Sequence, residues 1–301
     1  MIWIFAGGLL IVGIGMITIG LYFYHRAIYA HSKKDFILVD PHKRVTKEDQ
    51  WYLQSHVNKV SITTNDGLCL MGSVILNKGS KWVVLVHGYM GRLEDMIPQA
   101  KAFYERGYHI LLIDLRGHGK SEGDVIGFGY LDHLDLMQWI DFIKAQYAAN
   151  HIILYGVSMG AATVMLCSNQ VDEHVDGIIE DCGFSNLKDQ LAFIVSHMVP
   201  HVPSKFLIFA LSLVMKYKAG YRIQDVDCEK CVSQSKVPIL FLHGERDGFI
   251  EIGMMYRLYE SCHSKKKMVS LPKGRHASNH KFEPVLYWDS IDEFLSELSS
   301  I

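Results

Sequence analysis

The sequence predicts an α/β fold, a mostly parallel sheet with helices on both faces, preceded by one transmembrane helix. Two observations lead to this prediction. Short β-branched apolar runs alternate with longer amphipathic stretches through most of the 301 residues, which is the pattern of strands that helices bury on both faces. Residues 1–24 carry no charged side chain, which indicates a segment with a different environment from the rest.

The composition agrees with a chain that buries a large core. Hydrophobic residues make up 49% and charged residues 21%, which excludes the disordered and low-complexity classes. The 30 Lys and Arg residues nearly balance 32 Asp and Glu, so the net charge is -2. No overall positive field is available to attract a phosphate backbone, and we expect no nucleic-acid partner.

The first segment is predicted to be a membrane anchor. Ile2–Tyr22 is apolar or Gly apart from Thr18, and a helix of this length covers the hydrocarbon core of about 30 Å. It lacks the basic n-region and the small-x-small cleavage site of a signal peptide, so we expect residues 2–24 to stay in the bilayer. The basic residues that follow the run are Arg26, Lys33, Lys34, Lys43 and Arg44. By the positive-inside rule, we expect a single-pass membrane protein with its large domain on the cytoplasmic side.

After the anchor we expect a linker over residues 25–50. We expect one domain over residues 51–301, because no internal repeat appears. The domain starts with a hairpin, since the turn sequence Asn65-Asp66-Gly67 separates two β-branched runs. Six further strands are expected at Trp82–Val86, His109–Ile113, Ile152–Tyr155, Gly177–Ile179, Ile239–Leu242 and Lys267–Ser270. Helices are expected at Leu93–Arg106, Leu131–Ala149, Met159–Ser168, Gly253–Cys262 and Pro284–Leu298.

The cysteines suggest neither a disulfide framework nor a metal site. The chain has 6 Cys, a number compatible with reduced thiols in a domain of this size. Cys228 and Cys231 form the only close pair, and they lack the second ligand pair that a zinc site requires. We therefore expect no metal and no cofactor.

A serine with catalytic features lies at a predicted strand-to-helix turn. Gly156-Val157-Ser158-Met159-Gly160 joins the strand that ends at Tyr155 to the helix that begins at Met159. A nucleophile at such a turn needs small neighbours two residues away on each side, because the backbone is strained there. The helix N-terminus also points backbone N–H groups at a developing oxyanion. We therefore predict that Ser158 is a nucleophile.

A serine hydroxyl is a weak nucleophile unless a base removes its proton, and a carboxylate must hold that base in one tautomer. Two later strands lead into suitable loops, one with Asp247 and the next with His276. Other candidates lie close by. Glu245 and Asp181 also follow strands, but Glu245 sits on the strand-end turn itself, and we expect His280 to be a surface residue before the last helix.

Two further motifs complete a resemblance to a known family. His87-Gly88-Tyr89-Met90-Gly91 follows the Trp82 strand, and Asp114-Leu-Arg-Gly-His-Gly-Lys-Ser121 follows the next one. With Ser158, Asp247 and His276 in that chain order, the sequence resembles the α/β-hydrolases of the serine esterase/lipase type, from about Val60 to the C-terminus.

This resemblance implies a role for each matched residue. Ser158 would be the nucleophile, His276 the general base and then the acid, and Asp247 the carboxylate that orients the imidazole. The backbone N–H groups of Tyr89 and Met159 would form the oxyanion hole. Two motif residues, Arg116 and His118, would only brace the loop beneath the turn.

The resemblance also implies that an insertion over about residues 186–236 is a helical cap over Ser158. Its apolar face would either supply an acyl pocket or only pack the cap onto the sheet, and the sequence leaves both open. The predicted function is a membrane-anchored serine hydrolase that cleaves small-molecule or lipid carboxylic esters with short to medium acyl chains. The alternatives are a peptidase or amidase, a thioesterase or haloperoxidase on the same fold, and a non-catalytic binding protein.

Overall fold

The sheet is the centre of the fold. The computed structural model describes residues 2–30, 45–198 and 203–298, with side chains from residue 13 onward. Within these residues, the strands are β1 (Val57–Thr63), β2 (Cys69–Ile75), β3 (Lys81–Val86), β4 (His109–Ile113), β5 (His151–Val157), β6 (Val175–Asp181), β7 (Ile239–Gly244) and β8 (Lys266–Leu271). Their order is β1-β2-β4-β3-β5-β6-β7-β8. Strand β2 is antiparallel to β1 and β4, and the other neighbours are parallel, so the predicted sheet type is confirmed.

The helices connect the strands and cover both faces of the sheet. In the described part of the chain they are α1 (Ile2–Ala27), α2 (Lys47–Gln54), α3 (Ile97–Glu105), α4 (Tyr130–Tyr147), α5 (Met159–Cys167), α6 (Leu187–Met198), α7 (Ser204–Lys218), α8 (Cys228–Val232), α9 (Gly253–Ser261), α10 (Asn279–Phe282) and α11 (Pro284–Leu298). Val83 of β3 shares a core with Phe103 of α3. Its neighbour Val84 points to the other face and shares a core with Trp139 of α4, as expected when successive side chains of a strand alternate.

Local sequence explains where several elements begin. The β1–β2 hairpin turns at Gly67, whose φ of +88° is easily adopted by Gly, and the predicted hairpin is confirmed. The predicted helix Leu93–Arg106 begins instead as a 3₁₀ turn over Leu93–Met96, and α3 follows with a proline in its first turn. Proline is tolerated at that position because the first N–H groups of a helix have no intrahelical partner.

The predicted linker over residues 25–50 is structured at both of its described ends. Helix α1 continues to Ala27, and the next residues pair with the domain, since Ala30 N–H donates to Asp124 O at 2.8 Å and Ile126 N–H donates to Ile28 O at 2.8 Å. At the other end, Thr46 caps α2. Residues 31–44 lie outside the described residues. The linker itself stays a prediction, and the structure adds that the described residues at its two ends are helical or hydrogen-bonded to the domain.

The predicted anchor over residues 1–24 falls on α1. Residue 1 and the side chains of residues 2–12 lie outside the described part of the chain. Searched over what is described, the chain contains no helix that combines the length and the apolar character needed to cross a membrane.

The predicted insertion over about residues 186–236 folds into helices α6, α7 and α8, with a 3₁₀ turn over Ile223–Asp225. Helix α7 packs against α1 so closely that a Cβ on Gly20 would lie 2.6 Å from the carbonyl oxygen of Ala210. The N-terminal helix is therefore packed against the insertion as well as tied to the sheet.

Candidate active site

Ser158 stands at a strained turn between β5 and α5. Its φ is +58°, a left-handed conformation that non-glycine residues adopt rarely and mostly where function requires it. The glycines on either side make the turn possible. A Cβ on Gly156 would overlap the carbonyl group of Gly160, and a Cβ on Gly160 would overlap the carbonyl oxygen of Val86. The G-x-S-x-G spacing thus has a direct steric cause.

The structure brings the three residues Ser158, His276 and Asp247 together. They follow β5, β8 and β7, and the carboxyl ends of these parallel strands meet at one edge of the sheet. Ser158 Oγ lies 3.0 Å from His276 Nε2, and His276 Nδ1 lies 2.8 Å from Asp247 Oδ2. In the neutral imidazole that fits this chain, Nδ1–H donates to the carboxylate and Nε2 is left to accept the serine proton.

The surroundings of Asp247 keep it ionised. Its side chain is 0% exposed, and this burial would raise its pKa. The hydrogen bond from His276, the positive charge of that ring when it is protonated, and the N–H groups of Ile250 and Phe249 outweigh burial and hold the pKa of Asp247 below its usual value. Both N–H groups donate to Oδ1, at 2.9 and 2.8 Å. The carboxylate is therefore charged and fixed at the position where it can orient the imidazole.

Tyr89 and Met159, the predicted oxyanion-hole residues, line the same cavity as Ser158. The loop that holds Tyr89 comes close to the serine, since a Cβ on Gly88 would lie 3.3 Å from Ser158 Cβ. Two backbone N–H groups beside a nucleophile can stabilise the oxyanion of a tetrahedral intermediate. The structure thus places both residues beside the serine, and their role as an oxyanion hole stays a prediction.

Two buried imidazoles hold this loop in place. His87 Nδ1 donates to Gly88 O at 2.7 Å, and His87 Nε2 accepts the N–H of Leu115 at 3.1 Å. Burial lowers the pKa of His87 to about 4, so the ring stays neutral with one donor and one acceptor nitrogen. His118 accepts the N–H of Met90 at 3.3 Å. The role of His87 was missed from the sequence, where its position beside the oxyanion loop was the available signal.

Arg116 is structural, as the resemblance implied, but it does not reach the turn at Ser158. Its guanidinium lies 2.6 Å from Asp135 in α4 and 3.0 Å from Asp66 in the β1–β2 turn. These bonds tie the hairpin to α4. His118, the other residue of that motif, contacts the oxyanion loop at Met90.

The alternative acids and base occupy other environments. Glu245 is exposed and accepts the hydroxyl of Ser270 at 2.7 Å. Asp181 is buried and accepts bonds from Asn279 and Tyr287 at 2.6 and 2.7 Å. His280 was expected on the surface, but it is half-buried, with Nδ1 3.2 Å from Gln99 Nε2. It was misplaced because a short helix, α10, turns it inward toward α3.

Ser158 lies where two cavities meet. One has a volume of about 460 Å³, and its lining comes mostly from apolar side chains of α1, α6 and α7, including Tyr22, Phe23, Leu191, Leu207 and Leu211. The other has a volume of about 590 Å³ and contains polar and acidic side chains, including Glu48, Asp49, Glu94 and Gln99. The insertion therefore supplies much of the wall of an apolar chamber, and other apolar residues of α7, such as Val214 and Met215, pack into the core.

Some residues that line the apolar cavity could not be predicted from the sequence. Tyr22, Phe23 and Ala27 of α1 line the apolar cavity, and so does Arg26. Tyr22 and Phe23 end a long apolar run, in which no pattern singles them out. Phe249, two residues beyond Asp247, lines the same cavity, and its ring centre lies 4.9 Å from that of His276. Its position beside the predicted acid was the one available signal.

The cysteines are free thiols, including Cys228 and Cys231. Among the described residues, Cys182 lies close enough to Asp247 and His276 for the three to share a metal ion. Burial raises the pKa of Cys182 well above its ordinary value, so it is a thiol, whereas the thiolate is the metal-binding form. Asp247 and His276 are already bonded to each other, and this group does not suit a cation.

Comparison with known proteins identifies the superfamily. A family model described as serine aminopeptidase, S33, matches residues 77–225. That range includes the oxyanion loop and the turn at Ser158. The esterase Pf2001 of Pyrococcus furiosus superposes with a TM-score of 0.69 over 86% of this chain and 99% of that chain, at 23% identity. The chain is an α/β-hydrolase.

This hydrolase also has relatives that it matches over most of their length. It is 26% identical to the uncharacterized protein YqkD of Bacillus subtilis over 293 residues, which cover 94% of each chain. It is 26% identical to the uncharacterized membrane protein YNL320W of Saccharomyces cerevisiae over 242 residues, or 79% of each chain. The similarity to YqkD extends well beyond the residues that the family model matches.

Proposed function

We propose that this hydrolase is a serine esterase that cleaves carboxylic esters with short to medium acyl chains. The observation that supports it best is the hydrogen-bonded chain from Ser158 through His276 to Asp247, placed between an apolar and a polar cavity. The apolar acyl group of an ester suits the apolar cavity, and the more polar alcohol part suits the polar cavity. The apolar volume of about 460 Å³ lies toward the low end of ligand cavities, which run from about 300 to 1,000 Å³.

The proposed reaction has two steps. Ser158 Oγ attacks the ester carbonyl carbon while His276 Nε2 takes the hydroxyl proton, and the carbonyl oxygen becomes an oxyanion facing the N–H groups of Tyr89 and Met159. The C–O bond to the alcohol then breaks as His276 returns the proton to the leaving oxygen. Water repeats the sequence on the acyl-enzyme, releasing the acid and restoring Ser158.

An active-site probe and an ester panel test this proposal. A fluorophosphonate should label the full chain, and Ser158→Ala should abolish labelling while Ser196→Ala, an exposed serine in α6, should not. Rates on p-nitrophenyl esters from acetyl to palmitoyl should peak at short to medium length. Labelling that persists after Ser158→Ala would overturn the assignment of Ser158 as the nucleophile. Faster turnover of the palmitoyl ester than of the butyryl ester would overturn the proposed preference for short to medium acyl chains.

We further propose that α1 anchors the hydrolase in a membrane, with the domain on the cytoplasmic side. The support is the apolar run Ile2–Tyr22, the basic residues after it, and the naming of the relative YNL320W as a membrane protein. The full chain should resist extraction by alkaline carbonate. Protease should degrade the domain in inside-out vesicles and spare it in right-side-out ones, and the reverse pattern would overturn the orientation.

An aminopeptidase is the second candidate. Four acidic residues line the polar cavity beside Ser158, namely Glu48, Asp49, Glu94 and Asp95, and such a lining suits the positive α-amino group of a peptide. The description of the matching family model points the same way. Rates on a p-nitrophenyl ester and on the matching anilide separate the two. Preference for an anilide with a free α-amino group would favour the peptidase.

A further inference from the structure

Helices α1 and α7 together form one wall of the apolar cavity. Gly20 of α1 meets Ala210 and Val214 of α7, where a Cβ would come within 2.7 Å of Val214 Cγ2. On the inner side of this pair, both helices contribute side chains to the cavity that contains Ser158, including Phe23 from α1 and Leu211 from α7. The pair is therefore part of the proposed substrate site.

The outer side of the same pair is apolar and exposed. On α7, Phe206, Phe209 and Leu213 are 67%, 53% and 42% exposed. They recur at intervals of three and four residues, which places them on one face of a helix. On α1, Ile14 and Ile17 are also exposed. Single exposed apolar residues are common, but a cluster on two packed helices is typical of a docking surface.

The charges around this surface suit a membrane. Helix α7 contains no Asp or Glu, and Lys205, Lys216 and Lys218 are exposed near its two ends. An apolar helix face with basic residues beside it is typical of helices that lie at the surface of an anionic bilayer. Gly20, the contact point with α7, also belongs to the apolar run Ile2–Tyr22. If α1 enters the bilayer, α7 must lie at its surface.

We propose that the outer face of α7 (Phe206, Phe209 and Leu213) is embedded in the bilayer surface beside α1, and that the hydrolase takes its esters from the bilayer. Tyr22 is 60% exposed and also lines the cavity, so the cavity reaches the molecular surface at this pair of helices. The substrate class is then an ester dissolved in the membrane, whose acyl chain moves from lipid into the cavity. This step rests on the proposed esterase function and on the proposed anchor.

Spin-label accessibility tests the embedding without relying on activity. A nitroxide is attached to Phe209→Cys in the full chain, in which the partly buried Cys69 and Cys231 are replaced by Ser. The protein is reconstituted in vesicles of phosphatidylcholine and phosphatidylglycerol, with Val285→Cys in α11 as the matched exposed control. The label at 209 should collide more with oxygen than with a water-soluble nickel chelate, and the label at 285 should do the reverse. Equal behaviour at both positions would overturn the proposal. A label at 209 shielded from both agents in a dimer would also overturn it, because the occupant would be a second copy.

A kinetic comparison tests the delivery of substrate. The combined variant Phe206→Ser, Phe209→Ser and Leu213→Ser should lose roughly tenfold in kcat/KM on an octanoyl ester dissolved in the vesicles. Its turnover of water-soluble p-nitrophenyl acetate should stay within about twofold of that of the parent. The control variant Val285→Ser should stay within about twofold of the parent on both the octanoyl ester and p-nitrophenyl acetate. Unchanged octanoyl turnover, or equal losses on both substrates, would overturn the proposal. If the parent hydrolyses neither ester, the proposed function fails instead.

Discussion

The hydroxyl of Tyr89 donates a hydrogen bond to the backbone carbonyl of Ala27 at 3.0 Å. Tyr89 belongs to the oxyanion loop and Ala27 is the last residue of α1, so this bond joins the N-terminal helix to the catalytic edge of the sheet. The ring of Tyr89 also stacks on Phe128, with centres 5.2 Å apart. The helix predicted as a simple anchor is thereby coupled to the loop that would hold the oxyanion.

Removing this hydroxyl should weaken the loop without removing its N–H groups. Tyr89→Phe should lower the free energy of unfolding by about 1 kcal/mol, the usual contribution of one hydrogen bond, and should lower kcat more than it raises KM. Denaturant unfolding and steady-state kinetics measure the two effects. Tyr217→Phe, at a tyrosine that is 85% exposed, serves as the control. A Tyr89→Phe enzyme with unchanged kcat would show that the loop is held by its imidazoles alone.

Asp247 should matter for catalysis far more than its neighbour in the same loop. Asp247→Asn keeps the shape but offers an amide N–H to His276, which favours the wrong imidazole tautomer, and kcat should fall by up to about 10⁴-fold. Glu245→Gln changes an exposed carboxylate bonded to Ser270 and should leave kcat within about twofold. Comparable losses in the two variants would contradict the assignment of the acid.

The two histidines after β8, His276 and His280, should also differ in how much their removal lowers kcat. His276→Ala removes the base 3.0 Å from Ser158 Oγ and should leave little turnover, because the serine then lacks a proton acceptor. His280→Ala should keep most of kcat and lose stability instead, since His280 packs against Gln99 and the ring of Tyr287. Thermal unfolding and kcat, measured on both variants, check this. An inactive but stable His280→Ala enzyme would reverse the assignment.

Features with a local cause could be predicted from the sequence. The order of strands and helices follows from apolar periodicity, and the turn at Ser158 follows from the need for glycine at positions 156 and 160, where the backbones touch. The chain order of Ser158, Asp247 and His276 placed all three at the edge where the structure brings them together.

Features that depend on tertiary packing could not be predicted. The sequence gives no sign that Phe23 lines the cavity, because a helix that is apolar all round looks the same whether it faces lipid or protein. His280 was misplaced for a related reason, since burial of a histidine depends on neighbours from α3 that are distant in sequence. The backbone bonds of Ile28 and Ala30 to another loop could not be predicted either, because their partners are distant in sequence.

Glu180 in β6 should make the stability of this hydrolase depend on pH. Burial raises its pKa to about 8, and the charge of Asp181 adds to this, against the N–H of Gly183. In the unfolded chain the carboxyl has its usual value near 4.5. The folded state therefore holds a proton that the unfolded state releases. Its stabilising contribution is complete below about pH 4.5 and is lost as the pH rises through about 8.

Glu180→Gln should remove this dependence, because the amide stays neutral and its oxygen can still accept the N–H of Gly183. The variant and the parent should differ least at about pH 4, where the Glu180 carboxyl is protonated in both the folded and the unfolded parent. The variant should then gain relative stability with rising pH, by up to about 1.4 kcal/mol per pH unit between the two pKa values. Denaturant unfolding from about pH 4 to about pH 9 measures this across both pKa values, with the exposed Glu293→Gln as control. Asp132, whose pKa burial raises to about 7, leaves some dependence in both proteins, so the difference between them is the informative quantity. Parallel curves across that range would mean that Glu180 ionises in the folded protein as it does in water.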